Sequence, residues 1–505
     1  MNSKTRFPVG VSFFAGLLFG IGTLVGASEF DQNIEKDFPM STGGKLIVQT
    51  DRGSIAVNSD ARDKIQVRVL RHVKGGSHTQ ADELFANHEV TFKQEGNTLS
   101  IVGRNKKDRF RFGSSRRPSL QVRYEIAIPR KFDVDLKTSG GDIRLGELEG
   151  IAITRTSSGS IDLGTISGGV EASNSGGDIL VARAGGDLVA RTSSGSIKVQ
   201  TAGGKVAASN SGGDIQVDKA EQDVAASTSS GSITLKTVQG GVEAKNSGGD
   251  INIETAGGDV AAQTSSGSIS VGRAKGKRVN AKNSGGAIRL GEIDGDIVAQ
   301  TSSGPIKIAL VKGKAEVKNS GGQITIGEAG SSVVAETSSG SIEITTAKGK
   351  VEVKNSGGDV RIDEANGETV ASTSSGSVVI KLAMGKVDAR NSGGKIEVKE
   401  ARGVVLAHTS SGPIIVGFGA QPKADSHLEV SGGDIKVALP RSVALDLDAE
   451  SSGGKVVTSI PVTTIVSGEP KPGALRGKLN GGGSMLTLRA SSGDIHLTES
   501  AAPTK

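Results

Sequence analysis

Residues Thr192 to Ile215 read Thr-Ser-Ser-Gly-Ser-Ile-Lys-Val-Gln-Thr-Ala-Gly-Gly-Lys-Val-Ala-Ala-Ser-Asn-Ser-Gly-Gly-Asp-Ile, and this stretch decides the fold. Its two turn motifs, one opening on Thr and one on Asn, alternate along the chain at Thr138, Thr156, Asn174, Thr192, Asn210, Thr228, Asn246, Thr264, Asn283, Thr301, Asn319, Thr337, Asn355, Thr373, Asn391 and Thr409. The steps are 18 residues, with one residue inserted near Lys277. A period this strict implies stacked units, each unable to bury its apolar face alone.

Counting each Thr or Asn as position zero, position five is Ile or Val in every unit, as in Ile197, Ile215, Ile233 and Ile251. Position seven is Leu, Val or Ile, and positions fourteen and sixteen repeat the alternation, as in Val206 with Ala208. Alternation at period two means short strands with one buried face. The expectation is an all-β, right-handed parallel β-helix or β-solenoid with 18-residue coils, a 36-residue double repeat and irregular caps at both ends. At about 4.8 Å per coil, the regular region would form a rod of roughly 70 Å.

By parity the Thr and Asn side chains point inward. Thr192, Asn210, Thr228 and Asn246, with Ile197, Ile215, Ile233 and Ile251, are therefore expected to form internal ladders. The Gly pair after Asn is expected to supply backbone angles that other residues avoid.

Chain boundaries follow from where the period fails. Residues 1–27 carry Lys4 and Arg6, an uncharged run from Phe7 to Ala27 and small residues before Ser28, the pattern of an export signal or, if uncut, a signal anchor. Residues 28–137 form an irregular β segment in which Thr79 to Asn87 reads as a short helix with a Thr cap and an acidic first turn. The regular array covers 138–417, degenerate coils and a cap cover 418–498, and 499–505 form a disordered tail. No cysteine is present, so stability rests on stacking.

The borders carry a resemblance. Tyr124-Glu125-Ile126-Ala127-Ile128-Pro129 followed by Val134 to Ile143, together with Leu439-Pro440, Leu445 to Gly453 and Ser491 to Ile495, resembles the entry and exit of a bacterial adhesin-like family of unknown function built from β-strand repeats. The resemblance implies a β-solenoid on an exported protein, with adhesion as its role and no catalytic residues.

The residues themselves argue in the same direction. Asp178, Asp214 and Asp250 recur every 36 residues, two coils or about 9.6 Å apart, too far to share a calcium ion at 2.3–2.6 Å. Acidic residues are scattered singly, aromatic sugar platforms are scarce, and His72, His78, His88, His408, His427 and His496 show no ligand or triad spacing. No catalytic residue, metal ligand or cofactor is assigned. Nucleic acid is excluded as a partner by export and by the lack of stacking aromatics. A charge concentration remains between Arg104 and Arg117, seven basic residues against Asp108. Arg104, Lys106, Lys107, Arg109, Arg111, Arg116 and Arg117 are the candidates for binding an anionic surface.

The expected function is thus an exported, non-enzymatic adhesin or structural envelope protein, located in the periplasm, at the cell surface or outside the cell. Cell-surface polymers or other envelope proteins are its expected partners, and the membrane is one only if the N-terminal segment is retained. The alternatives are a polysaccharide-acting β-helix enzyme and a membrane-anchored envelope assembly or signalling component. The oligomeric state is not indicated.

Overall fold

The computed structural model describes residues 29–60, 63–106, 118–464 and 472–500. The export segment, most of the basic run and residues 501–505 of the tail lie outside these residues, whereas Glu499, expected in the tail, ends the strand Ile495–Glu499, and Ser500 N donates to Leu439 O. Within them the chain is a parallel β-solenoid with two sheets and one short helix.

Each regular coil contributes one strand to each sheet. The strand Ile197–Ala202 pairs in parallel with Ile179–Ala184 below and Ile215–Ala220 above. On the second sheet Val206–Ser209 lies between Leu188–Arg191 and Val224–Ser227. Register is strictly like on like: Ile179, Ile197, Ile215, Ile233 and Ile251 form one column. All five are buried, as are the second-sheet columns of Val206 and Ala208. The residue inserted near Lys277 is absorbed at the corner before the strand Arg278–Lys282, and the register resumes with Val260 beside Val279.

One column was not foreseen from the period-two pattern. Ala184, Ala202, Ala220, Val238 and Ala256 are buried at position ten, three residues after position seven rather than two. The strand turns its face there, so small apolar residues fill the corner between the sheets.

The glycines act differently from the sequence expectation. Within the array positive φ occurs at Gly141 and Gly412, in its first and last turns, and not at the Gly pairs that follow Asn; the other such angles occur at Gly43, Gly53, Gly75, Gly76, Gly96, Gly433, Gly481, Gly482 and Gly493, toward the ends. Close stacking is the reason glycine is required in the array. A Cβ at Gly249 would overlap the backbone carbonyl of Gly231 in the coil below, whereas one at Gly248 would lie 3.3 Å from Ser229 O.

Both ends depart from chain order in the same way. At the N-terminal end the coil Gly44–Thr50 and Ser54–Asp60 sits between the pair Thr98–Asn105 and Ser119–Pro129 and the coil that starts the array. At the other end the last coil, Ser484–Ser492 and Ile495–Glu499, inserts beneath Leu445–Ser451 and Val456–Thr458. Antiparallel strands then close the stack: Lys64–Lys74 and Glu29–Pro39 on one sheet, and His88–Glu95 on the other. At the C-terminal end Ala474–Leu479 does the same. Antiparallel closure with charged strands blunts edges that would otherwise recruit further strands.

The helix spans His78–Asn87, and its N-cap is Ser77, not Thr79. Ser77 accepts from Gln80 N while the Gln80 side chain accepts from Ser77 N, a capping box, and the first turn holds no acidic residue. The expected Thr cap is two residues late because Ser77 with Gln80 satisfies two orphan donors at once.

Candidate functional site

The alternating signature residues are structural. Thr192 Oγ1 donates to Gly177 O at 3.1 Å, Asn210 Nδ2 to Gly195 O at 2.6 Å, Thr228 Oγ1 to Gly213 O at 3.1 Å and Asn246 Nδ2 to Gly231 O at 2.7 Å. Each side chain thus ties its own coil to the turn of the coil below. The two residue types differ in what else they do: Asn246 Oδ1 also accepts from Gly248 N at 3.2 Å, closing the turn that the Gly pair forms.

The recurrent aspartates are caps as well. Asp214 Oδ1 accepts from Ser232 N at 2.7 Å, and Asp250 Oδ1 accepts from Ser268 N at 2.7 Å, each in the next coil. A second series on the other sheet behaves alike, with Asp187 accepting from Lys205 N and Asp223 from Gly241 N, both at 2.8 Å.

A concavity of about 760 Å³ lies on the outer face of the second sheet. Val189, Ala207, Ala225 and Ala261 floor it because their small side chains leave a trough, and Asp187, Asp223 and Asp259 rim it. Those carboxylates stand two coils apart, about 9.6 Å, so they do not converge on one substrate atom. Among the described residues no group of three or more His, Asp or Glu forms a ready metal-binding set.

Of the seven basic candidates, two fall within the described residues. Arg104, next to last in the strand Thr98–Asn105, stands opposite Glu89, and Lys106 Nζ lies 3.6 Å from Glu89 Oε2. Lys107, Arg109, Arg111, Arg116 and Arg117 lie outside. The two visible residues sit at the N-terminal end of the solenoid, on the outermost strand pair of the second sheet.

That end also holds a buried polar cluster with no counterpart in the repeat. Arg71 donates through Nη1 to Phe85 O at 3.1 Å and His88 O at 3.3 Å, and through Nη2 to Gln32 Oε1 at 2.6 Å. The guanidinium thereby caps the carbonyl end of the helix, where its charge is favoured by the helix dipole. Burial lowers the Arg71 pKa from its ordinary value. Tyr124 OH lies 3.3 Å from His88 Nε2 and 3.2 Å from Thr50 Oγ1, and burial raises its pKa. Burial, followed by the charges of Arg71 and Arg52, pushes His88 down to about 4. His88 Nδ1 has no partner among the described residues. Tyr124 and His88 are sealed from solvent, so the cluster supports the end cap and offers no substrate access.

Sequence reasoning missed this cluster, since Arg71, His88 and Tyr124 belong to no period. The single Tyr of the chain was the available signal.

Among the described residues no helix is long and apolar enough to cross a membrane. A family model described as Toastrack DUF4097 matches residues 44–256 and 239–399. No curated protein matches the chain. Solved structures with some likeness include a "putative cell adhesion protein" from Clostridium sporogenes, 7% identical, covering 93% of this chain and 100% of that one with a TM-score of 0.14. A "putative adhesin" from Bacteroides fragilis is 15% identical over 64% of this chain and 97% of its own, with a TM-score of 0.16. A "putative lipid binding protein" from Parabacteroides distasonis is 15% identical over 71% and 96%, again at 0.16. At these scores none of the three carries a functional argument.

Proposed function

The chain belongs to the Toastrack DUF4097 family, and from that premise we propose that it is an exported, non-enzymatic rod that contacts anionic polymers of the cell envelope through its N-terminal end. The observation that carries this reading is the distribution of roles along the molecule. The regular coils use their Thr, Asn, Asp and Gly residues to join coil to coil, as Thr228, Asn246 and Asp250 do. Positive charge instead concentrates in the sequence between Arg104 and Arg117, of which Arg104 and Lys106 stand at the N-terminal end of the solenoid. A stiff body with a charged end suits a spacer that presents one contact patch away from its remaining length.

Phosphate-bearing wall polymers and anionic lipid headgroups share the chemistry that such a patch recognises. Reversing Arg109, Arg111, Arg116 and Arg117 to Glu should abolish retention of the purified protein on phosphate-rich envelope material and lower its salt sensitivity. Undiminished retention would remove the proposal. Cleavage at Ser28, read from the N-terminus of the exported protein, decides between a free and an anchored rod.

A further inference from the structure

We propose that the N-terminal end face of the solenoid is a docking surface for a lipid bilayer, an inference that rests on reading this end as the molecule's point of contact. The strands Glu29–Pro39 and His88–Glu95 are the outermost of the two sheets, and among the described residues no strand pairs beyond either. Alternation turns Phe30, Ile34 and Phe38 of the first and Val90 and Phe92 of the second toward the space between the sheets. In the array the next coil covers such residues. Here no coil follows, and these five, with Leu84 of the helix, stay only partly buried against the core. The Phe38 and Phe92 rings stack with centroids 5.7 Å apart at this open end. At the opposite end the partly buried residues are Val456, Val462 and Leu475, none of them aromatic.

The chain that leads into this end argues for lipid as the occupant. The uncharged run from Phe7 to Ala27 is long enough to span a bilayer, and Ser28 alone separates it from Glu29, the first residue of the outermost strand. One residue reaches at most about 3.6 Å. With the run held in a bilayer, the end of the solenoid therefore stands against the headgroups with no linker between them. Partly exposed Phe, Ile and Leu side chains at that depth bury their apolar surface at the boundary between headgroups and acyl chains.

The charges at this end do not oppose that approach. Asp31, Glu35 and Asp37 lie on the other face of their strand, where His72, Arg68 and Lys64 stand 2.8, 2.9 and 2.7 Å from them. Lys36, on the apolar face, places its amine 4.6 Å from the centre of the Phe92 ring. Its long stem can lie along the rings while the amine meets a phosphate.

The chain contains no Trp, so one introduced ring reports on its own surroundings. The test places Phe92→Trp in the full-length chain, reconstituted into vesicles of phosphatidylcholine and phosphatidylglycerol with and without brominated acyl chains. Phe38→Trp is a second reporter should the first variant melt below the parent. Val457→Trp marks the far end, and Val379→Trp and Val334→Trp mark the outer faces of the two sheets. Brominated lipid should quench the ring at position 92 or 38 and leave the other three bright. Quenching at 379 or 334 instead would mean that the rod lies on its side, and would overturn the proposal. A ring at 92 or 38 that is shielded from water yet unquenched would overturn it as well, by showing that a second copy or the apolar run itself covers the end. If the end rings stay unquenched while charge reversal of the basic run still abolishes retention on envelope polymers, lipid docking falls and the end-contact reading stands; if both fail, the reading falls too.

Discussion

The regular array and the N-terminal cap handle buried polarity in opposite ways. In the array the buried Thr or Asn that opens each coil finds its partner on the backbone one coil below, as Asn246 does on Gly231. Every such bond is neutral and repeats with the period. In the cap, Arg71 is a buried cation held by carbonyls and an amide, and His88 is a buried imidazole with one ring nitrogen unpartnered. The difference teaches that a solenoid can be extended cheaply through its middle, while its ends require individually solved contacts. It also implies that the array should be indifferent to mild acid and that the cap should not be.

Placing a charge in the array would break the comparison most severely. Ile215→Asp removes a buried ladder residue and leaves an unpaired carboxylate between Ile197 and Ile233, at an expected cost of more than about 5 kcal/mol. Denaturant unfolding should show it, and an unchanged midpoint would refute the inward assignment.

Two adjacent glycines sharpen the picture next. Gly249→Ala forces backbone apart between coils and should cost about 3 kcal/mol, whereas at Gly248 the added Cβ would stand 3.3 Å from Ser229 O, a tight contact relieved by a shift of a few tenths of an ångström, and should cost less than about 1 kcal/mol. Equal effects would mean that the coils are not stacked as described.

The acid response of the cap ranks third. His88 has a folded pKa near 4 against about 6.5 unfolded, so between these values the unfolded chain binds the additional proton. Its contribution is fully present above about pH 6.5 and is lost as pH falls toward 4, by roughly 2–3 kcal/mol. Hydrogen exchange should show the strand His88–Glu95 losing protection in that window while Ile233–Val238 keeps it. His88→Gln should flatten the difference.

The smallest expected effect has the opposite sign. Thr369 stands in a valine column, between Val351 and Val387, with its hydroxyl buried and unpartnered among the described residues. Thr369→Val should raise stability by about 1 kcal/mol in a thermal melt.

The array was legible because every unit repeats the same inference: the Ile215 column, the inward Asn246 and the scattered acids all follow from an 18-residue count. The position-ten column escaped, since Ala202 and Ala220 fall out of period two where the strand turns its face. The glycine role escaped for a different reason. Composition cannot distinguish a residue chosen for its φ from one chosen for the space beneath it, and only stacking shows that Gly249 is the second kind. The end topology could not be read at all, because the coil Ser484–Glu499 inserts out of chain order. The pairing of His408 with Glu429 was hidden likewise, behind a coil lengthened from 18 to 21 residues between Thr409 and Val430.

The central claim, that interchangeable coils stack in register to form the rod, is tested most directly by deleting residues 211–246, one 36-residue double repeat. Small-angle scattering should show a folded particle shortened by about 9.6 Å, with a cooperative melt. A deletion product that unfolds, or one whose longest dimension is unchanged, would contradict it.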